Sequence, residues 1–454
     1  MTAPASRAND AAPAGLRRTL RPRDLVFIVV GTVIGSGIFL VPGPVLRQTG
    51  GDVRLALLVW VVAGVLSLLG ALTYAEMGAA KPDAGGLYLY IRDAFGGLPA
   101  FLYGWTAFFV IGSGSVATLA VAFTSYLRQF VPVSPVAAKV VAALVVVVVM
   151  VVNVRGVRQG ADVQNVTTAI KAGAIVVMSV LLLALGTRPE GVAASTALPG
   201  TSLLSGVGLA MIAVLWAYEG WQYVTFSAGE TIDPQRTFPR AIVFGTVLLI
   251  AIYLVANVAY LAALGTSGVM GSERVAADAV SAVLGPAAAK VIAAVILVSM
   301  FSAANGITLT APRLYFSMAR DRAFFAKLAE VHPRFGTPAL AIVTSSIWAM
   351  LLAITGTFEQ LLTYVVFIGW IFYALGGLAI FAYRRREPDM PRPFRTPGYP
   401  FTPLLFVASA AAIVINTIVS QPGRAALGLG LVLLGVPAYY FWRARALKVT
   451  RDLA

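Results

Sequence analysis

The first long apolar stretch of the chain contains the segment that decides the fold. Residues 30–39 read Val30-Gly31-Thr32-Val33-Ile34-Gly35-Ser36-Gly37-Ile38-Phe39. In a membrane-spanning helix the two glycines that flank Ser36 would lie near the middle of the bilayer, and each costs about 1 kcal/mol of helix stability relative to alanine. The pattern therefore predicts an unwound stretch. Unwound backbone is tolerated at that depth only beside protein or a water-filled cavity, so the break indicates a binding site.

Such a break would leave backbone groups available to a ligand. The amides of Gly35, Ser36 and Gly37 would be free at the start of the outer half-helix, where the helix dipole favours a carboxylate. The carbonyl of Val33, at the end of the inner half-helix, would suit an ammonium group. The alternative is that these small residues only allow neighbouring helices to pack closely.

The composition places the whole chain in a membrane. Of its 454 residues 59% are hydrophobic and 12% are charged, and the mean hydropathy of +0.85 lies outside the range of ordinary soluble domains. The net charge of +15 is distributed over short segments between apolar stretches, which argues against a nucleic-acid-binding surface. The chain has no cysteine and one histidine, His332, so neither disulfides nor a histidine-built metal site is expected. No cofactor is expected either.

Twelve stretches are long and apolar enough to cross about 30 Å of hydrocarbon as helices, which predicts an all-α membrane protein. They lie near residues 24–46, 54–78, 96–127, 136–154, 163–186, 206–228, 238–263, 287–318, 338–356, 360–383, 402–420 and 425–442. Residues 1–23 show no signal-peptide pattern, and we expect them to form a disordered tail.

The positions of Lys and Arg predict the orientation of the chain. Most of the 34 basic residues fall on one side if the spans alternate from the N-terminus. Because cytoplasmic loops retain basic residues, both termini are predicted to be cytoplasmic, including a second tail at residues 443–454. We expect a multi-pass protein of the cell membrane.

Unusual features recur five spans apart, which indicates an internal repeat. The first span contains the glycines described above, the sixth is interrupted by Tyr218-Glu219-Gly220, and the third and eighth spans are both long. A unit of five spans ends on the side opposite to its start, so a second copy would be inverted. We therefore expect a first repeat at residues 24–186, an inverted repeat at residues 206–383, and two further helices within residues 402–442.

The sixth span carries a carboxylate in its apolar middle, within Trp216-Ala217-Tyr218-Glu219-Gly220-Trp221. A charge at a helix centre costs roughly 2.5 to 3.5 kcal/mol on insertion scales, so Glu219 should face a cavity or a partner. The alternative is a protonated or ion-paired structural acid. The aromatic residues could serve as packing or interface residues, although their depth argues against the interface for Trp216 and Tyr218.

Lys171 is the one basic residue well inside a predicted span. It lies about eight residues, or roughly 12 Å, from the predicted start of the fifth span. Its long side chain could extend back to the interface. Otherwise the ammonium could replace a bound sodium ion, or exchange a proton as access alternates, so Lys171 is a candidate coupling residue.

Taken in order, these segments resemble the APC superfamily, most closely its L-type amino acid transporter branch and related bacterial exchangers. The resemblance covers residues 24 to about 420. It also rests on Ala71-Leu72-Thr73-Tyr74-Ala75-Glu76, Gly85-Gly86-Leu87-Tyr88, Val163-Gln164-Asn165, and Asn305 followed by Arg313-Leu314-Tyr315. It implies a LeuT-like arrangement of five plus five inverted helices, with helices 1 and 6 unwound and alternating access without ATP.

The resemblance also implies roles for individual residues. Gly35, Ser36 and Gly37 would bind the carboxylate of a substrate. Carbonyls of Val33, Trp216 and Glu219 would hold its amino group, and Tyr218 and Gly220 belong to the same substrate-binding segment. Trp216 matches an aromatic gate, Trp370 is a weaker gate candidate, and Lys171 matches the family lysine near a vacant sodium site.

Two departures from the family pattern affect what is expected. Eukaryotic light chains of this branch attach to a heavy chain through an extracellular cysteine, and this chain has none. We therefore expect no disulfide-linked heavy chain. Glu219 replaces the glycine of members that carry large neutral substrates, whereas an acid occurs there in members that accept dibasic substrates and in some bacterial neutral exchangers.

The leading hypothesis is a secondary active transporter surrounded by membrane lipid that exchanges neutral L-amino acids without sodium. A proton-coupled symporter, or a transporter of cationic amino acids or polyamines, is the alternative. An intramembrane enzyme would need more ionisable groups in the bilayer than Lys171 and Glu219. A channel would be expected to have a polar pore lining. A sensor with transporter architecture stays open.

Overall fold

The computed structural model describes residues 16–187, 203–356 and 358–452, and the regular structure in these ranges is helical. The one exception is an isolated parallel bridge between Leu20 and Thr231. The first half comprises α1 (Pro22–Val33), α2 (Gly37–Leu40), α3 (Pro42–Gln48), α4 (Val53–Ala80), α5 (Leu87–Phe95), α6 (Gly97–Thr106), α7 (Gly112–Leu127), α8 (Pro135–Val154) and α9 (Val157–Leu185). A π-helix, Ala107–Ile111, joins α6 to α7. The all-α class is confirmed.

The second half begins with α10 (Leu203–Ala217), followed by a 3-10 helix at Trp221–Glu230. It continues with α11 (Pro234–Gly271), α12 (Val275–Leu284), α13 (Pro286–Thr310), α14 (Pro312–Arg320), a 3-10 turn at Ala326–Ala329, α15 (Ala339–Thr355), α16 (Phe358–Arg386), α17 (Phe401–Ser420), α18 (Pro422–Leu433) and α19 (Gly435–Asp452).

Ten helical stretches among the described residues are long and apolar enough to cross a bilayer. The sixth and ninth predicted spans are not among them. In the sixth, α10 stops at Ala217 after 15 residues, and the chain continues as the 3-10 helix. In the ninth, α15 is apolar but has only 17 residues.

Several predicted boundaries differ from the structure. The third span is divided by the π-helix, the eighth ends at Thr310 before α14, and the twelfth is divided into α18 and α19. The short helices α5 and α12 were not predicted, because a search for stretches of about 20 apolar residues passes over helices of about ten.

The predicted tails also differ where the structure describes them. Residues 1–15 and 453–454 lie outside the described residues. The amides of Thr19 and Leu20 donate to the carbonyl of Glu230 at 2.8 and 2.9 Å, and α1 begins at Pro22. The prediction of a disordered segment up to residue 23 is therefore wrong for this part. At the other end α19 continues to Asp452.

The helices pack so that α1 lies at the centre. It contacts α9, α11 and α13, and α11 in turn packs along α4. The outer surface carries exposed apolar side chains, such as Val136, Val291 and Val419, which suit contact with lipid rather than water. The interrupted span therefore lies inside the bundle, where unwound backbone is shielded from hydrocarbon.

One end of the bundle is closed by ion pairs. We call the end at which α1 begins the N-side. Three bidentate arginine–carboxylate pairs join helix ends there, with their shorter N–O distances at 2.7 Å: Arg158–Asp24, Arg313–Glu230 and Arg384–Glu76. The Arg313–Glu230 pair is fully buried. The Arg384–Glu76 pair joins α16 to α4 and so links the two predicted repeats, whereas each of the other two pairs lies within one predicted repeat. Together the three pairs fasten the helix ends at the N-side in this conformation.

A second group of charges lies nearby, and we call it the N-side cluster. Lys81 Nζ lies 3.1 Å from Asp93 and 2.9 Å from Glu387, and Arg92 lies 2.9 Å from Asp93. Burial acts against both charged forms, but the ion pairs outweigh it. The pKa of Asp93 is therefore held below its usual value, and the pKa of Lys81 is held above its usual value.

Candidate functional site

The first predicted span is interrupted where the glycines occur. Helix α1 ends at Val33 and α2 begins at Gly37, so Ile34, Gly35 and Ser36 lie outside regular helix. The amide of Ile34 still donates to Val30 at 3.0 Å, but those of Gly35 and Ser36 have no acceptor among the described residues. The hydroxyl of Ser36 is also buried without a partner there. The break thus presents unpaired donors inside the bundle.

The sixth predicted span is interrupted beside the first. Gly220 adopts a φ of 128°, and a Cβ at this residue would lie 2.9 Å from the carbonyl carbon and oxygen of Thr32. The hydroxyl of Thr32 donates to the Gly220 carbonyl at 3.0 Å. A Cβ at Gly37 would lie 2.6 Å from that of Ala217. Glycine is therefore needed at both positions for the two breaks to touch.

Tyr253 of α11 links the two broken helix ends. Its hydroxyl lies 3.2 Å from the carbonyl oxygen of Val33 and 3.0 Å from that of Ala217. Both carbonyls lack a continuing helix, and the single hydroxyl proton can be donated to one of them at a time. Val33 was expected to hold a substrate ammonium. In this conformation the Tyr253 hydroxyl faces one of the two lone pairs of the Val33 carbonyl oxygen.

Lys171 lies deeper than predicted and supports the broken end of α1. Helix α9 begins at Val157 rather than near residue 163, so Lys171 lies roughly 20 Å along the helix. The side chain is fully buried. Its Nζ donates to the carbonyls of Gly31 at 2.6 Å, Ile34 at 2.5 Å and Ser299 at 3.3 Å. The alternative in which Lys171 extends to the interface is wrong.

Ser299 of α13 completes this support. Its hydroxyl lies 3.0 Å from the carbonyl oxygens of both Ile34 and Gly35. The carbonyl groups freed by the break are therefore satisfied by an ammonium and a hydroxyl from α9 and α13. The amides on the other side of the break are left open.

The carboxylate of Glu219 is buried among neutral donors. Its Oε1 accepts from Gln222 Nε2 and from the Tyr373 hydroxyl, both at 2.5 Å. Gln222 and Tyr373 also bond to each other at 2.7 Å. No arginine or lysine pairs with Glu219 among the residues that the structure describes. The ion-paired alternative is therefore wrong, and the acid is available to a cationic group.

A small cavity of about 30 Å³ lies between the two breaks. Residues of both breaks line it together with side chains of α7, the 3-10 helix and α13: Thr32, Val33, Gly35, Ser36, Gly37, Ser115, Leu119, Trp216, Glu219, Gly220, Tyr223 and Ile307. This volume accommodates water, which needs about 10 to 15 Å³. It is far below the roughly 300 Å³ of a typical ligand pocket. A larger ligand therefore requires the surrounding helices to move.

Three of the predicted site residues do not line the cavity: Lys171, which supports the broken end of α1, and the aromatic residues Tyr218 and Trp370. Tyr218 is buried behind the break, with its ring 5.9 Å from that of Trp60 and 5.1 Å from that of Tyr253. Trp370 packs on Tyr373 at 5.9 Å and on Phe406 at 6.1 Å. Trp216, by contrast, is half-buried and faces the cavity.

Comparison with known proteins identifies the family. A family model described as amino acid permease matches residues 20–434. The chain belongs to the amino acid permease family. The Serine/threonine exchanger SteT of Bacillus subtilis (strain 168) is 31% identical to the permease over 434 residues, which cover 95% of this chain and 98% of SteT.

Mammalian relatives match the permease over similar lengths. Large neutral amino acids transporter small subunit 2 of Homo sapiens is 33% identical over 432 residues, covering 92% of this chain and 79% of the relative. The b(0,+)-type amino acid transporter 1 of Homo sapiens is 33% identical over 424 residues, covering 92% and 86%. The resemblance to the APC superfamily is confirmed. The permease is a multi-pass membrane protein that transports amino acids, and it is not an enzyme.

Sequence analysis of the permease did not identify several residues around the breaks. Gln222 and Ser299 are polar residues close to or inside apolar spans, and that signal alone could have selected them. Tyr253 and Tyr373 gave no comparable signal, because a tyrosine within a span is also typical of packing. Only the arrangement of distant helices shows which tyrosines reach the breaks.

Proposed function

We propose that the permease is a sodium-independent exchanger of neutral L-amino acids that works by alternating access. The observation that carries the proposal is the contact between the two interrupted spans. A small cavity lies between them, with unpaired amides on one side and, on the other, the Glu219 carboxylate, which has no cationic partner among the described residues. A zwitterion presents the complementary groups.

The proposed architecture is LeuT-like. Repeats at residues 24–186 and 206–383 would be inverted copies, with two further helices within residues 402–442. Interruptions five predicted spans apart, in direct contact, support this arrangement. The basic tails before residue 24 and after residue 442 would both lie in the cytoplasm, in the cell membrane. The N-side would then be the cytoplasmic side.

The backbone would recognise the two charged groups that all amino acids share. The amides of Gly35, Ser36 and Gly37 would bind the carboxylate, since a buried unpaired donor favours an anionic acceptor. Carbonyls of Trp216 and Glu219, and the second lone pair of Val33, would hold the ammonium. Tyr218 and Gly220 would shape this segment from behind the cavity.

Trp216 is the proposed gate, because it is half-buried at the cavity that a substrate must enter. Trp370 is the weaker gate candidate, since its ring packs on Phe406 and Tyr373 away from the cavity. Opening the N-side between the two predicted repeats would also have to separate the Arg384–Glu76 pair, which joins α16 to α4. We therefore expect access from that side to be slow when no substrate is bound.

Lys171 supports independence from sodium. Its ammonium already binds carbonyl oxygens of Gly31 and Ile34 at the break. Carbonyl oxygens of this kind are also ligands for a cation. The positive charge of Lys171 would take the place of a bound sodium ion at these carbonyl oxygens. Exchange is further supported by SteT, which is named as an exchanger.

Counterflow in proteoliposomes tests exchange. We expect uptake of a labelled neutral amino acid only when the vesicles contain unlabelled amino acid, with no change on removing sodium or imposing a pH gradient. Uptake into empty vesicles driven by a proton gradient would contradict exchange and favour a symporter. The same experiment with the purified chain alone tests the proposal that no disulfide-linked heavy chain is needed.

Transport of cationic amino acids or polyamines is a second candidate, because Glu219 is a buried acid without a cationic partner. We expect Glu219→Gln to weaken competition by arginine more than competition by neutral amino acids if the carboxylate contacts a cationic side chain. The exposed acid Glu330 provides the matched control, Glu330→Gln. Unchanged arginine competition in Glu219→Gln would remove this candidate and leave neutral exchange intact.

A further inference from the structure

Two cavities lie along one side of the bundle, away from the proposed substrate site. The first, of about 620 Å³, is lined by residues that include Phe108, Phe324 and Trp442. The second, of about 380 Å³, is lined by residues that include Phe109 and Leu431. The adjacent residues Phe108 and Phe109 thus each face one of them.

Helix α15 shows that the two cavities follow one another along the bundle. Leu340 and Thr344 line the first cavity, and Trp348, Leu352 and Gly356 line the second. Residues spaced by four are neighbours on a helix surface, and such a row follows a ridge that winds gradually around the helix. From first to last they extend about 24 Å, most of the roughly 30 Å of a hydrocarbon core. We call this path the α15 crevice.

The charge distribution along the α15 crevice is strongly uneven. Lys327 and Arg445 line the first cavity, at the N-side, and among the residues that the structure describes no acid lines it with them. The second cavity has no charged residue among the described residues that line it. The crevice is therefore basic at one end and apolar over the rest of its length.

Aromatic rings form the wall where the basic end meets the apolar part. The ring of Trp442 lies 5.4 Å from that of Phe324 and 5.1 Å from that of Phe325, and the Phe108 ring lies 5.4 Å from that of Phe324. Aromatic rings at this level are typical of the boundary between headgroups and hydrocarbon. We therefore expect the basic end to lie at headgroup depth.

We propose that the α15 crevice binds an anionic phospholipid, with the phosphate of its headgroup at the basic end and an acyl chain in the second cavity. Clusters of Lys and Arg beside membrane helices attract anionic headgroups. The two cavities supply the complementary shape for a long chain, and the aromatic wall supplies the transition between them. A soluble anion would fill only the first cavity.

Binding to the purified full-length chain tests the proposal. The protein is stripped of lipid in detergent and titrated with dioleoyl phosphatidylglycerol or dioleoyl phosphatidylcholine, and bound lipid is measured by native mass spectrometry. We expect phosphatidylglycerol to bind more tightly. The double variant Lys327→Gln/Arg445→Gln should weaken its binding roughly thirty-fold, because each cation near an anionic lipid contributes about five-fold.

The control variant removes the same charge from the same side of the membrane. Arg236 and Arg240 are exposed at the start of α11, away from the crevice, and Arg236→Gln/Arg240→Gln should bind phosphatidylglycerol like the original chain. Thr344→Trp places a large side chain in the crevice and should weaken binding of the lipid. Its unfolding temperature and its rate of counterflow exchange should equal those of the original chain.

Three results would overturn the proposal. The first is equal binding of the two lipids, because the basic end would then have no role. The second is an equal loss in the control and crevice double variants, because attraction would then be non-specific. The third is displacement of the lipid by glycerol phosphate at the same concentration as phosphatidylglycerol, because the acyl chain would then contribute nothing.

Discussion

Removing the hydroxyl of Tyr253 tests whether the two breaks are held together as described. Tyr253→Phe keeps the ring and deletes the group that lies 3.2 Å from the Val33 carbonyl and 3.0 Å from the Ala217 carbonyl. Neither carbonyl has another donor among the described residues. Leaving a buried acceptor without a partner costs roughly 1 to 3 kcal/mol.

That free energy corresponds to a shift of roughly five-fold to 150-fold in the balance between the closed arrangement and arrangements in which the breaks separate. We therefore expect Tyr253→Phe to lower the unfolding temperature and to slow counterflow exchange. Both are measured on purified protein, by thermal unfolding in detergent and by uptake into preloaded proteoliposomes.

Tyr260 provides a matched control on the same helix. It is also fully buried, but its hydroxyl has no hydrogen-bond partner among the described residues. Tyr260→Phe should therefore keep the unfolding temperature and the exchange rate, or raise the temperature slightly. Identical behaviour of the two variants would refute the role given to the Tyr253 hydroxyl.

Other expectations concern the breaks and the N-side. Gly220→Ala should abolish exchange, because a Cβ would meet Thr32 at 2.9 Å; Gly173→Ala, with open space around it, should be tolerated, as uptake assays can show. Lys171→Met should slow exchange at least ten-fold by leaving the α1 carbonyls without their ammonium, while the exposed Lys139→Met should not; equal rates would contradict this. The contribution of the N-side cluster to the free energy of unfolding should be constant from about pH 5 to about pH 9. The pKa of Asp93 is lowered in the folded protein, so the stability that Asp93 contributes is lost as the pH falls through this lowered pKa. The pKa of Lys81 is raised, so the stability that Lys81 contributes is lost as the pH rises through this raised pKa. Asp93→Asn should reduce the acid-side loss in a series of unfolding temperatures against pH.

The breaks could be located from the sequence because their cause is local. Glycines around Ser36 and an acid followed by Gly220 weaken a helix wherever it lies, so a single span contains the signal. The contact between the breaks was implied only by the resemblance to a known family. The physical requirement for it, at Gly37 and Gly220, becomes evident only once both spans are placed side by side.

Other features depend on packing that a single sequence does not determine. The depth of Lys171 was underestimated because the polar start of α9 resembles a loop in a count of apolar residues. The partners of Glu219 come from two places in the chain, with Gln222 nearby and Tyr373 about 150 residues away. Trp370 was selected by resemblance, and its environment beside Phe406 depends on how α16 and α17 meet.

The most direct test of the proposed recognition of the zwitterion is an experimental structure of the permease with a transported amino acid bound. We expect the substrate carboxylate within hydrogen-bond distance of the amides of Gly35, Ser36 and Gly37, with its ammonium facing the carbonyls of Trp216 and Glu219. A substrate bound elsewhere, with those amides still unoccupied or paired within a continuous helix, would contradict it.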